Sequence, residues 1–386
     1  MLKLEKTQCS GCGACVNICP TGAVTMEYDS EGFPYPAVDP ARCVGCGKCE
    51  QHCPCLKEKK QPDAATPRVW AVQAKDRDRR LNSSSGGLFL TAARYVIGCG
   101  GVVFGAAFTD SFELRHVEAD CPEDLERLSG SKYLQSDIGL TYRKIGQYLK
   151  QGRPVLFSGT PCQVAGLKAF LARPYENLIC TDFICHGVPS PRYWGQYVQY
   201  RANCAGSPPA AISFRDKARG WHEFSVRFRF ENGSEYSACH RQDPYMQLFL
   251  QDVDLRPSCY QCRFRTENRV SDLTMADFWA VRHFCPELDD DTGVSLAIVH
   301  SQQGEALLRA LEDRLICRKI PFQAVLRGNG AMLRSPACPK SRKRFFEEKD
   351  LLTPPEAAKK FARPGLKQTA ASTVRSVLRA MSSKIK

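Results

Sequence analysis

The chain has 386 residues, 43% of them hydrophobic and 25% charged, with a net charge of +13 and 21 cysteines. That length suits two or three domains with cores of their own, and the composition excludes a disordered or fibrous chain. A secreted disulfide scaffold would be shorter and would open on an apolar leader, whereas this chain opens MLKLEKTQCSGCG, so cytoplasmic thiols are expected.

In chain order, residues 1–56 form a cysteine-rich head. Its first run, CSGCGACVNICP, spans Cys9 to Pro20, and its second, CVGCGKCEQHCP, spans Cys43 to Pro54. Both fit C-x2-C-x2-C-x3-C-P, the two-cluster ferredoxin spacing in which the fourth cysteine serves the other cluster. Zinc knuckles use paired C-x2-C instead. One [4Fe–4S] cluster therefore takes Cys9, Cys12, Cys15 and Cys53, and the other takes Cys43, Cys46, Cys49 and Cys19. Cys55 lies outside the pattern and is expected to play no part. A head of this kind moves electrons.

A polar linker, 57–66, leads to a body expected over 67–350. RVWAVQAK reads as a strand, GGLFLTAARYVIG as a helix, and GVVFGAAF and LRHVEA as strands. IGLTYRKIGQYLKQG reads as a helix ending at Gly152, PVLFSG as a buried strand, and GTPCQVAGLKAFL as a turn and helix. NLICTDFICHG is a strand, SVRFRFENGSEYSA a hairpin turning at Asn232-Gly233, GVSLAIVHS a strand and QQGEALLRALEDRL a helix. The fold class is thus mixed α/β: a small ferredoxin-like domain and a larger mixed-sheet domain with some antiparallel pairing. The longest apolar stretch, residues 88–108, is broken by Arg94 and four glycines, so no transmembrane helix is expected.

A basic tail is expected over 351–386. From 357 onward it holds eight Lys/Arg and no acid, while residues 1–60 are balanced at seven against seven, so the excess charge makes no case for nucleic acid. Val374, Val377, Leu378, Met381 and Ile385 share one helical face, giving an amphipathic segment for a membrane surface or a partner.

The motifs NSSSGG (82–87), GSKYLQSD (130–137), FSGTPCQVAGL (157–167), DFICHGVPS (182–190), SFRDKARGW (213–221), CYQCRF (259–264) and LTMADFWAV (273–281) together resemble the beta subunit of coenzyme F420-reducing hydrogenases and dehydrogenases. The bacterial members fused to a ferredoxin head are the nearest likeness, over roughly residues 1–345. The resemblance implies a third [4Fe–4S] cluster, FAD and a deazaflavin substrate. Cys259 and Cys262 form a C-x2-C pair, and Cys162 and Cys185 stand in the family motifs, so these four are the candidate ligands, with Arg263 and Arg265 offsetting charge. The alternative for Cys162 is a buried thiol or a flavin neighbour.

Two loops are candidates to hold FAD. Ser83, Ser84 and Ser85 are expected to cap a helix, with Gly86 and Gly87 allowing close backbone approach. Gly159, Thr160, Pro161 and Gln163 open the next helix, whose N–H groups and Thr160 hydroxyl suit a diphosphate. Either loop alone describes an ordinary capped helix. Lys132 is expected beside phosphate or flavin, and His186 and Lys132 are the catalytic candidates, with Asp277, Arg215 and Lys217 as weaker orienting groups. No GxGxxG supports a nicotinamide domain. The expected function is an iron–sulfur flavoprotein oxidoreductase of an anaerobic metabolism, exchanging electrons with ferredoxin or a partner subunit and with an organic substrate. The alternative is an electron-transfer subunit with no substrate of its own.

Overall fold

The computed structural model describes residues 4–57 and 67–362. Most of the expected linker and the amphipathic segment 374–386 lie outside the described residues.

In the head, each cysteine run ends in a short helix, Ala14–Ile18 and Lys48–Gln51. Both helices start from a left-handed glycine, Gly13 at φ 76° and Gly47 at φ 69°, a conformation that a Cβ would strain. A hairpin of β1 (Val24–Tyr28) and β2 (Pro34–Val38), in register from Val24 opposite Val38, joins the two runs.

The body contains β3 (Arg68–Ala74), β4 (Val102–Phe108), β5 (Leu114–Ala119), β6 (Val155–Ser158), β7 (Leu178–Phe183), β8 (Pro209–Asp216), β9 (Ser225–Phe230), β10 (Glu235–Cys239), β11 (Leu273–Asp277), β12 (Ser295–Val299) and β13 (Leu315–Ile320). Eight of these form one mixed sheet in the order β13-β3-β12-β11-β7-β6-β4-β5. Its middle strands, β11, β7, β6 and β4, run parallel. The flanking pairs are antiparallel.

Side-chain alternation explains why apolar residues stand at successive positions in the middle of the sheet. Val72, Ala74, Val103, Leu156 and Ala297 face one core with the helices Leu88–Gly98 and Gln302–Ala310. The alternate residues Val102, Phe104, Val155 and Phe157 face another, under the helices Thr141–Lys150 and Pro161–Leu171. A parallel sheet covered on both faces needs both sets apolar. The carboxyl ends of β6, β7 and β11 release the loops that carry Thr160, Cys185 and Trp279, the side of an open parallel sheet where ligands bind.

A three-stranded sheet, β10-β9-β8, packs an aromatic core of Tyr193, Trp194, Tyr197, Phe214, Phe228 and Tyr245. The helix Pro354–Phe361 joins that core through Ala357, Ala358 and Phe361. The tail expected to begin at 351 therefore starts with a helix of the body. The cause is a Thr353/Glu356 capping box followed by three apolar residues on one face.

Partly buried polar contacts tie head to body. Arg143 donates to the carbonyls of Asn17 (2.8 Å) and Cys19 (2.6 Å). Asn17 in turn donates to the Gly139 carbonyl, and Arg342 forks onto Glu31 at 2.9 and 2.5 Å. Among the described residues no helix is long and apolar enough to cross a membrane.

Candidate redox site

Three small cavities are walled by cysteines. Cys19, Cys43, Cys46 and Cys49 bound the outermost, where Cys46 is exposed and Val44 is 67% exposed. The second is bounded by Cys9, Cys12, Cys15 and Cys53, all buried. In each, the fourth cysteine comes from the opposite run. The two cavities meet at a small core holding Cys15 and Cys19, with Cys43 and Cys49 packed against it.

A third cavity, of about 200 Å³, lies where head meets body and gathers Cys162, Cys185, Cys259 and Cys262 with Arg263, Arg265 and Arg269. Its wall includes Ser10 and Cys55, which also wall the second cavity. Cys55 is thus at the partition between them, its Sγ 3.4 Å from Ser10 Oγ, although the spacing of the runs left it without a role. Burial pushes the Cys162 and Cys185 thiols up, and Cys259 up to about 12. Thiols such as these become thiolates when a bound metal displaces the proton. Four soft donors around one small space, with arginines beside them, fit a [4Fe–4S] cube.

The largest cavity, about 720 Å³, opens at the carboxyl ends of the parallel strands and shares Thr160, Cys185, Gly187 and Val188 with the third. Its size is that of a cofactor pocket. Ser84, Ser85, Gly87, Lys132, Gly159, Thr160, Gln163 and His186 all line it; Gly86 and Pro161 do not.

The serine loop differs from the expectation. The N-cap of the helix Leu88–Gly98 is Gly87 at φ 83°, with no side-chain cap. Ser85 Oγ donates to the Val294 carbonyl, and Ser84 Oγ accepts from the Ser131 N–H. Ser83 Oγ is buried without a hydrogen-bond partner. Leu88, Phe89 and Leu90 of this helix start line the cavity beside an unsatisfied hydroxyl, and the first-turn N–H groups of a helix have no partner within it, an arrangement suited to a phosphate. Gly86 serves packing: a Cβ there would lie 2.5 Å from the Val72 carbonyl oxygen and 2.7 Å from the Ser295 nitrogen.

The second loop is also used differently. Thr160 Oγ1 accepts from the Gln163 N–H while Gln163 Oε1 accepts from the Thr160 N–H, a closed capping box. Gln163 Nε2 donates to Ser136. The Thr160 hydroxyl also sits 3.0 Å from Cys162 Sγ, and Pro161 lines the third cavity. This helix start is committed to itself and to the thiols.

Lys132 Nζ donates to the carbonyls of Ala106, Arg127 and Ser129, and burial lowers its pKa to about 7. It braces its loop within the cavity wall. His186 Nε2 lies 2.8 Å from Asp252 Oδ1 without hydrogen-bond geometry, and its ring packs on Phe249. Arg215 forks onto Asp277 at 2.8 and 3.0 Å and donates to the Ser84 carbonyl, so two weaker candidates form one brace for the serine loop. Lys217 adds bonds to the carbonyls of Arg80, Ser85 and Thr292. Sequence reasoning missed His116, which lines the cavity between Ser136 Oγ (2.7 Å) and the Ser158 carbonyl (2.9 Å).

Residues 152–322 match the family described as the C terminus of the coenzyme F420 hydrogenase/dehydrogenase beta subunit, and residues 8–56 match the 4Fe-4S dicluster domain. The fold is similar to a chain of the F420-reducing [NiFe] hydrogenase complex from Methanosarcina barkeri, at TM-score 0.50 and 14% identity, over 76% of this chain and 97% of that one. Among curated proteins none matches. The chain thus joins a 4Fe-4S dicluster domain, with an iron–sulfur electron-transfer role, to a segment that matches the C terminus of the coenzyme F420 hydrogenase/dehydrogenase beta subunit.

Proposed function

We propose that the protein is an iron–sulfur flavoprotein oxidoreductase that exchanges electrons with ferredoxin or a partner subunit at the exposed outer cavity and with an organic substrate at the large one. The observation that carries this reading is the succession of cavities: outer, second, third and large, each sharing a core or a wall with the next. Bound there, [4Fe–4S] clusters would carry single electrons and FAD would pair them for an organic acceptor, of which a deazaflavin is the class the family's name points to.

The chain's own residues divide the work. Cys162, Cys185, Cys259 and Cys262 would hold the third cluster. Ser83 and the open helix start at Leu88–Leu90 would hold the FAD phosphates, with Lys132, Arg215 and Asp277 bracing the loops around them. His186, oriented by Asp252, would hold or release a proton where the large cavity adjoins Cys185. The exposed outer cavity also favours a second reading, an electron-transfer subunit without substrate of its own. Substrate turnover by the isolated chain separates the two.

Cys→Ser changes at positions 162, 185, 259 and 262, made singly in anaerobically purified protein, are each expected to lower iron by about four per chain. Unchanged iron in any one variant removes that residue from the site.

A further inference from the structure

Arg256 is fully buried, yet each of its hydrogen-bond acceptors is neutral. Nε donates to Gln135 Oε1 at 3.2 Å, Nη1 to the Cys9 carbonyl at 3.1 Å and Nη2 to the Pro34 carbonyl at 2.6 Å. The rings of Phe33 and Tyr35 flank it. The other buried arginines Arg80, Arg215 and Arg269 each pair with an aspartate, whereas Arg256 has no such partner among the described residues. A buried, unpaired guanidinium is costly, and it identifies a place where an anion belongs.

Its position names the anion. The guanidinium enters the first cysteine run opposite Gly11, where a Cβ would stand 2.5 Å from Nη2, so the bare backbone there leaves the space it occupies. Three residues on, Cys259 donates its N–H to the Arg256 carbonyl at 2.9 Å. Arg256 therefore bonds the backbone of Cys9 through its guanidinium and that of Cys259 through its carbonyl. One belongs to the second cavity and the other to the third.

We propose that Arg256 is the shared counter-charge of the two buried redox centres and raises the reduction potential of both, leaving the outer centre untouched. The physical cause is that a fixed cation in a low-dielectric wall stabilises an added electron on either side. The inference rests on the reading of the third cavity as a cluster site.

The test is a reductive titration of the whole anaerobic protein, followed by electron paramagnetic resonance with iron quantified in parallel. Arg256→Met is expected to keep its iron and lower two of three midpoint potentials, while Arg256→Lys, which keeps the charge, stays near the parent. Three unmoved potentials, a fall in all three, or a fall in one alone overturns the proposal. Should Arg256→Met lose iron, Arg256→Lys and Gln135→Leu decide: both keep the charge, so a lowered potential in either refutes it and unmoved potentials support it. Parent protein with about eight irons instead of about twelve refutes the third cluster and with it the shared role. With about twelve irons in the parent and unmoved potentials in an Arg256→Met protein that keeps its iron, the role of Arg256 alone is refuted.

Discussion

At His116 the partners fix the proton. A carbonyl only accepts, so Nε2 donates to Ser158, and Nδ1 accepts from Ser136 Oγ, which itself accepts from Gln163. Burial lowers this histidine to about 4, and His300 to about 3, so both are neutral in the folded chain at pH 7. Between the folded and unfolded values the unfolded chain binds the extra proton, so stability falls as pH drops through 6.5 and is flat above it. From His116 the loss is about 2 kcal/mol by pH 5. Anaerobic urea unfolding at pH 7 and pH 5 is expected to show a smaller acid loss for His116→Gln than for the parent; parallel losses would contradict the assignment. Nothing marked His116 in LRHVEA, because its importance comes from Ser136 and Ser158, brought to it by the sheet. The cluster cysteines were legible for the opposite reason: their spacing is itself the ligand geometry. Ser83–Ser85 were read as caps from residue type alone, and left-handed Gly87 took that position instead.

Among the elements, the helix Pro161–Leu171 links two cavities. It starts at Cys162 in the third and, one turn on, presents Gly166 to the second. A Cβ at Gly166 would stand 3.1 Å from Cys12 Sγ and 3.0 Å from the Tyr142 hydroxyl. In an open helix Gly→Ala stabilises by about 1 kcal/mol. Here overpacking against the head reverses the sign, so Gly166→Ala should lose about 1–3 kcal/mol in anaerobic denaturation; a gain would show that the head does not press on this helix. The Thr160-Pro161-Cys162-Gln163 start was readable as a helix signal. The helix Pro191–Ala205 was not read, although Ser190-Pro191 opens it and Gly206 closes it, because its buried stripe is the aromatic set Tyr193, Trp194 and Tyr197 within polar surroundings. The strands β11 and β13 went unread for a related reason: β11 lay inside a motif taken for its chemistry, and β13, with the sequence LICRKI, is half exposed.

Over the whole molecule, the segment 252–262 reaches the head and the inner cavities: Asp252 lies 2.8 Å from His186, Arg256 enters the head, and Cys259 and Cys262 line the third cavity. The docking of the head could not be read from the chain, since its bonds join residues as distant as Glu31 and Arg342. Arg143, Arg256 and Arg342 seat it against the body. A head seated in this way sets the four cavities in one row. Its occupancy is measured most directly by iron, sulfide and flavin quantification on protein purified without oxygen. The account predicts about twelve irons, as much sulfide, and one FAD per chain. About eight irons and no flavin would leave a dicluster head on a body that takes no part in electron transfer.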